Sequence, residues 1–290
     1  MQAIILAGGF GTRLQSVVSD RPKPMALVNN QPFLKILVDQ LHQHDFEHIV
    51  ISVGYMSDMI IDYFKDYTNI SFCVEPEPLG TGGAVRLAYE QLNKNQPVLV
   101  VNGDTYCSVS VSNLILSSAL MNRSYISVYN VGTNTRYSGV DFDKRNNDLT
   151  SITSTDSSYI YSGFSSILPE HILKLPLNTR CSFEQDIILP NISEFAVMVA
   201  NGLFIDIGIP EDYSLANWIF NTDPEHTIEY SKLSDILIKH QFKSITDFKQ
   251  LAWEHGVYLY KKTEYYQGES WNFKIYDQVN SSWFILKYLT

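Results

Sequence analysis

Cysteine is scarce in this chain. The three present among 290 residues, Cys73, Cys107 and Cys181, stand far apart and form no Cys-x-x-Cys pair. That spacing argues against a disulfide framework and against a structural zinc site. Positive charge is also in short supply. Lys and Arg number 21 against 31 Asp and Glu, a formal net charge of −10, so no general nucleic-acid or anionic-membrane surface is expected. Long apolar runs are missing as well, and the chain opens straight into a strand pattern with no basic leader before it. Together these absences predict a soluble, cytoplasmic protein without nucleic-acid or membrane partners. With 45% hydrophobic residues, the chain has enough apolar material for a core and lacks a disorder signature. Its length allows one large α/β domain plus something small.

What is present is concentrated at the start. A short apolar run, Ala3-Ile4-Ile5-Leu6, opens onto Ala7-Gly8-Gly9-Phe10-Gly11-Thr12-Arg13, and Arg21-Pro22-Lys23-Pro24-Met25 follows. The run has the length of a buried strand, and the glycines after it let backbone N–H groups approach a ligand closely. Arg13 and Lys23 place two cations on that loop or just beyond it, which suits the gripping of phosphates. Two familiar glycine loops are excluded. A Walker A loop needs Gly-Lys-Ser/Thr where Thr12-Arg13 stands, and a dinucleotide fingerprint needs a third glycine where Leu14 stands. Gly-Gly-x-Gly-Thr-Arg-Leu with Pro-Lys-Pro about ten residues on resembles the sugar-1-phosphate nucleotidyltransferases. The longer string through Gln15, Ser16, Val17, Val18, Ser19 and Asp20 to Met25 and Ala26 is most similar to the D-glycero-D-manno-heptose 1-phosphate guanylyltransferase branch. The resemblance runs from Met1 to about Phe220.

Hydrophobic periodicity predicts the organisation. Asn30-Gln31-Pro32 reads as a helix start with proline near the first turn, followed by Phe33, Ile36, Leu37, Gln40 and Leu41 on one face; Gln40 is its only polar member. Strands are expected over 49–53, 70–74 and 97–101, alternating with helices from Ser57 and from about Thr81. This alternation points to right-handed crossovers and a mostly parallel, Rossmann-like sheet flanked by helices, with ligands outside the carboxyl ends of the strands. From 124 to 163 shorter alternating strands take over. Helix is expected over 183–189 and 210–220, and strand over 195–199 and 202–207. The nucleotidyltransferase domain is assigned to 1–221. All four tryptophans, at 218, 253, 271 and 283, lie from the end of that domain onward. Residues 222–290 therefore read as a small α+β appendage with two helix patterns, 230–240 and 246–255, and three strand-like runs. A structural or oligomeric role for this unit, giving a homo-oligomer, is the default; partner or acceptor binding comes second.

The family resemblance implies a site. Attack of a sugar 1-phosphate on a nucleoside triphosphate calls for cations, backbone donors and a carboxylate-held divalent metal. It implies Arg13 over the β- and γ-phosphates and Lys23 at the point of transfer, although a loop lysine can also be merely solvated. The nucleotide would lie along Leu6, Ala7, Gly8, Gly9, Gly11, Thr12, Asn102 and Gly103. Asp104, ending the strand at 98–101, is a natural Mg²⁺ ligand, with a turn or helix-cap aspartate as the bland alternative. Asp206, in an apolar strand where an unpaired carboxylate is costly, would be the second ligand. Glu75, Gly80, Thr81, Gly82 and Gly83 resemble the base-recognition loop, though Gly-Thr-Gly-Gly is also an ordinary helix start. No donor or acceptor read from this loop chooses the base, so guanine rests on the branch similarity.

On the sugar side, Tyr161-Ser162-Gly163-Phe164 and Ser182-Phe183-Glu184 resemble expected contact segments, and Tyr137 and Gly139 are further candidates. The Glu-Lys pair usual in such enzymes is missing: the stretch reads Ser151-Ile152-Thr153-Ser154-Thr155-Asp156. Arg180 is the candidate substitute for the lost lysine. His42, His44 and His48 share no helix face and read as surface or edge residues, not catalysts. The leading expectation is Mg²⁺-dependent transfer from GTP to a heptose 1-phosphate. A uridylyl-, thymidylyl- or cytidylyltransferase is one alternative. A decayed nucleotide-sugar-binding regulatory subunit is the other; the lost lysine favours it, and retention of Arg13, Lys23, Asp104 and Asp206 opposes it.

Overall fold

The computed structural model describes residues 1–131, 136–154, 157–201 and 203–220, and beyond these only the backbone of strands at 227–228, 259–260, 270–277 and 282–289. The chain divides into two compact units, Met1–Ile219 and Phe220–Thr290. In the second, β14 (Thr227–Ile228), β15 (Leu259–Tyr260), β16 (Ser270–Asp277) and β17 (Ser282–Leu289) form a four-stranded sheet in the order β14-β17-β16-β15. The helix patterns expected at 230–240 and 246–255 lie outside the described residues.

The first unit is mixed α/β. It holds β1 (Gln2–Leu6), β2 (Leu27–Val28), β3 (Gln31–Pro32), α1 (Phe33–His42), β4 (His48–Val53), α2 (Ser57–Phe64), β5 (Ile70–Val74), α3 (Gly80–Ala88), β6 (Val98–Asn102), β7 (Thr105–Cys107) and α4 (Val111–Met121). These are followed by β8 (Ser124–Asn130), β9 (Gly139–Asp143), β10 (Asp148–Ser154), β11 (Tyr159–Ile167), α5 (Pro169–Leu173), a π-helical stretch at Phe183–Ile188, β12 (Phe195–Ala200), β13 (Phe204–Asp206) and α6 (Pro210–Ile219). Nine strands make the main sheet, in the order β5-β4-β1-β6-β11-β8-β12-β10-β9.

The expectation of a mostly parallel sheet holds for one half only. β5, β4, β1 and β6 are parallel neighbours, each an apolar run with its helix crossing back, as the alternating pattern requires. Beyond β6 the sheet is mixed. β11 runs antiparallel to both β6 and β8, and β10 to both β12 and β9, while β8 and β12 are parallel. The short strands after Ser124 have no helix between most of them, so hairpin-like returns replace crossovers. α4 had no counterpart in the sequence reading. Leu114 and Ile115 are buried on it, but Leu116, Leu120 and Met121 are exposed, so its apolar residues do not form a clean stripe.

Packing accounts for the odd polar position in α1. Gln40 is buried with its apolar neighbours, and its amide donates to the carbonyl of Cys107 at 2.8 Å. This bond ties the first helix to β7. The carboxyl ends of β1, β4 and β6 coincide, since Leu6 is the register partner of both Ser52 and Asn102. The loops leaving β1 and β6 there line one cleft.

Candidate active site

Two adjoining clefts lie at this edge. The first, about 410 Å³, is lined by the glycine loop with Arg13 and Lys23, by Glu75, Gly80 and Thr81, and by Asn102 and Asp104. The second, about 290 Å³, is lined by Arg136, Tyr137, Tyr161, Gly163, Glu184 and Asp206, among others. Arg13, Asn102 and Asp104 line both. Volumes of this size suit small-molecule ligands, and the shared wall is where two ligands would meet.

The glycine loop builds the first cleft. Gly11 has φ +60°, and a Cβ there would stand 2.7 Å from Cβ of Lys23. Its bare backbone lets the Lys23 side chain run beneath the loop. Lys23 is 9% exposed, and its ammonium donates to Asp104 Oδ2 at 2.6 Å and lies 3.6 Å from Asp206 Oδ1.

Two aspartates far apart in sequence meet here because β7 and β13 form a two-stranded antiparallel ribbon that pairs Asp206 with Thr105. The N–H of Ile207 then donates to the carbonyl of Asp104 at 3.0 Å. Asp206 is further held by the N–H of Gly208 at 2.8 Å on Oδ1 and by Arg136 at 3.0 Å on Oδ2. The two carboxylates thus face one point, which a single cation can share. Among the described residues no cluster of three or more His, Cys, Asp or Glu forms a metal site. Two hard carboxylates fit Mg²⁺, which commonly takes one or two carboxylates and completes its shell with water and substrate phosphates.

Glu75 lines the first cleft beside Gly8, where an added Cβ would run into Glu75 Oε1. Its carboxylate accepts from Ser52 Oγ at 3.2 Å and from the N–H of Leu79 at 3.1 Å, so both oxygens are fixed in direction. Gly80 and Thr81 line the cleft beside it, but Gly82, Gly83 and Gly103 do not. The N–H of Gly82 donates to the carbonyl of Cys181, and a Cβ on Gly83 would stand 2.5 Å from the carbonyl oxygen of Thr179. These two glycines let α3 lie directly on backbone at 179–182.

In the second cleft, Gly163 has φ +82° at a break in the β8–β11 register, which brings the chain against Asn102 and Thr105. Burial pushes the Tyr137 and Tyr161 hydroxyls well above the usual phenol range, with Asp206 adding to the effect on Tyr137. Burial raises Glu184 and Asp212, the latter against the opposing pull of its bond to Arg136. Gly139 begins β9 away from the lining, Ser162 is fully buried on β11, and Arg180 is exposed and lines neither cleft. The segment where the Glu-Lys pair was sought ends with Thr155 and Asp156, outside the described residues. Sequence reasoning passed over Arg136 and Gly208. Arg136 adjoins the already selected Tyr137, and Gly208 follows Asp206 by two residues.

The raised Glu184 carboxyl yields a test. A folded state that holds the proton more tightly than the unfolded chain is penalised once pH rises through the folded value. Glu184→Gln should therefore raise Tm at pH 8, and the gain should shrink toward pH 5. Equal gains at both pH values in thermal melts would show that burial of the charge is not the cause.

The four histidines among the described residues do other work. His42 pairs with Asn69, His44 with Ser112 and His48 with Ser71. A fully buried His171 bridges Ser124 Oγ and Glu194. Ser124 is itself fully buried, so this chain of bonds is structural.

Comparison with known proteins shows the family. The nucleotidyl transferase family profile matches residues 2–154. The chain belongs to this family and is a nucleotidyltransferase enzyme. It is 34% identical over 223 residues, 73% of its own length and 97% of the relative's, to the D-glycero-alpha-D-manno-heptose 1-phosphate guanylyltransferase of Campylobacter jejuni. The enzyme of the same name from Aneurinibacillus thermoaerophilus is 33% identical over 231 residues, 74% of this chain and 96% of the relative. The crystal structure of HddC from Yersinia pseudotuberculosis complexed with GMP-PN matches with a TM-score of 0.67 and 37% identity, covering 76% of this chain and 99% of that one. Among the described residues no helix is long and apolar enough to cross a membrane.

Proposed function

We propose that the enzyme transfers a guanylyl group from GTP to D-glycero-D-manno-heptose 1-phosphate with Mg²⁺, forming the GDP-sugar and pyrophosphate. The observation that carries this reading is the convergence of Lys23, Asp104 and Asp206 on the wall between two clefts. One cleft has the loop for a triphosphate, and the other has room for a sugar. A phosphate oxygen of the acceptor bonds to the α-phosphorus, and the bond from that phosphorus to the bridging oxygen of pyrophosphate breaks. The protein's share is alignment and charge neutralisation. Arg13 meets the leaving pyrophosphate, and Lys23 meets the oxygens of the transferring group. Asp104 and Asp206 would hold the Mg²⁺, which supplies Lewis-acid neutralisation of phosphoryl charge. The names of the two guanylyltransferase relatives support the substrates.

Glu75 supports guanine on chemical grounds. An ionised carboxylate only accepts hydrogen bonds, at two adjacent oxygens. Guanine offers two adjacent donors, N1–H and the 2-amino group; uracil and thymine offer one N–H between two carbonyls. Glu75→Gln places a donor where guanine also donates, and should raise the KM for GTP roughly 10- to 100-fold, the worth of a hydrogen bond to a charged group. An unchanged KM for GTP would remove Glu75 from base selection.

The overall reading is tested by pyrophosphate release with four nucleoside triphosphates against a panel of sugar 1-phosphates and Mg²⁺. Release with GTP and the heptose 1-phosphate is expected. Release only with UTP, dTTP or CTP would replace guanylyl transfer with one of the other nucleotidyl transfers. Silence across the panel, with nucleotide still raising Tm, would favour a binding subunit.

A further inference from the structure

We propose that Arg136 is the cation that receives the phosphate of the acceptor, in place of the lysine missing from residues 151–156, and that Asp212 positions it. The inference rests on the acceptor being a sugar 1-phosphate, as proposed above. Such a phosphate is a dianion, and the second cleft would meet it with three carboxylates: Asp104, Asp206 and Glu184. Among the described residues lining that cleft, the cations are Arg13 and Arg136. Arg13 also lines the nucleotide cleft, and Lys23 lines only the nucleotide cleft. Arg136 is therefore the cation that belongs to the acceptor side alone.

Its place is well defined. One terminal nitrogen bonds Asp212 in the first turn of α6, the other donates to Asp206 Oδ2 at 3.0 Å, and the guanidinium carbon stands 4.8 Å from the centre of the Tyr137 ring. A Cβ built on Gly208 would stand 2.9 Å from Arg136 Nη2 and 3.2 Å from Lys23 Nζ. The two cations thus flank one small residue, with Lys23 facing the nucleotide and Arg136 facing the acceptor. A guanidinium has five donors in a planar fork. A planar fork of this kind matches the oxygens of a phosphate in geometry, which an ammonium serves only as a point charge. Arg180, exposed and outside both clefts, has no comparable position.

The test compares wild type, Arg136→Gln, Arg136→Lys and Asp212→Asn in two measurements. In steady-state turnover with GTP and the heptose 1-phosphate, Arg136→Gln should raise the acceptor KM roughly 10- to 100-fold, the range for a lost hydrogen bond to a charged group. Its KM for GTP and the Tm rise on adding GTP should stay near wild type. Arg136→Lys should recover part of the loss, and Asp212→Asn should raise the acceptor KM less than Arg136→Gln does. In titration calorimetry, wild type should bind mannose 1-phosphate more tightly than mannose, and Arg136→Gln should lose that preference. An acceptor KM unchanged in Arg136→Gln, a GTP KM rising in step with it, or an undiminished preference for the phosphorylated sugar overturns the assignment. A wild type that binds mannose 1-phosphate but turns nothing over would count against the transfer reaction, and calorimetry would still decide Arg136.

Discussion

Lys23→Ala should lower kcat by a factor on the order of 10²–10³, the usual consequence of deleting one well-placed stabiliser of transition-state charge. The ammonium is 9% exposed and within 3.6 Å of both Asp104 and Asp206, so its removal does more than subtract a contact. Asp104 and Asp206 then lose the ammonium they share. Substrate binding should suffer less than turnover, because the glycine loop and Glu75 remain. Initial rates of pyrophosphate release at saturating GTP, with circular dichroism to check the fold, measure this directly. A kcat within a few-fold of wild type would place Lys23 outside the chemistry.

Gly103→Ala should be nearly as damaging by a different route. A Cβ on Gly103 would stand 2.5 Å from the carbonyl oxygen of Leu6 and 3.3 Å from Cα of Ala7. Both are backbone atoms of the strand and loop that carry the site, so no flexible side chain can give way. The N–H of Gly103 also donates to that same carbonyl at 2.9 Å. Overpacking of this kind typically costs about 1–3 kcal/mol of stability. Asp104, the next residue, moves with the displaced chain, and a shift near 1 Å in a reacting constellation can cost roughly 10²-fold in rate. A depressed Tm together with a collapsed kcat is the expected pair of results. Full activity with a normal Tm would mean that the end of β6 can relax without moving Asp104.

The parallel half of the fold was legible because its strands are continuous apolar runs separated by helices with regular periods, as in β1, α1 and β4. The mixed half was not, because antiparallel neighbours such as β8 and β11 take their partners from distant segments, and alternation alone does not name a partner. α4 escaped because Leu116, Leu120 and Met121 are exposed and blur its helical stripe. Local motifs group the glycine loop, Glu75 and Thr81, which line one space, the first cleft. The second cleft draws more on contacts between distant segments. Arg136 is placed by Asp206 and Asp212, contacts that no sequence spacing reveals, whereas Arg180, the candidate to stand in for the absent lysine, lines neither cleft. Gly82 and Gly83 show the opposite case, a motif whose glycines serve helix-to-backbone packing.

The ribbon of β7 and β13 carries a constraint of its own. Side chains on neighbouring positions of a strand point to opposite faces, so a register error of one residue would turn Asp206 away from Asp104 altogether. Three residue pairs, Phe204 with Cys107, Ile205 with Tyr106 and Asp206 with Thr105, carry that alignment, with the bonds from Ile207 to Asp104 and from Ser108 to Leu203 at its two ends. On the proposed reading, the chain between Ala200 and Phe204 has to deliver β13 in this register for the two aspartates to share a metal. An insertion there could leave the large sheet intact and still silence the enzyme.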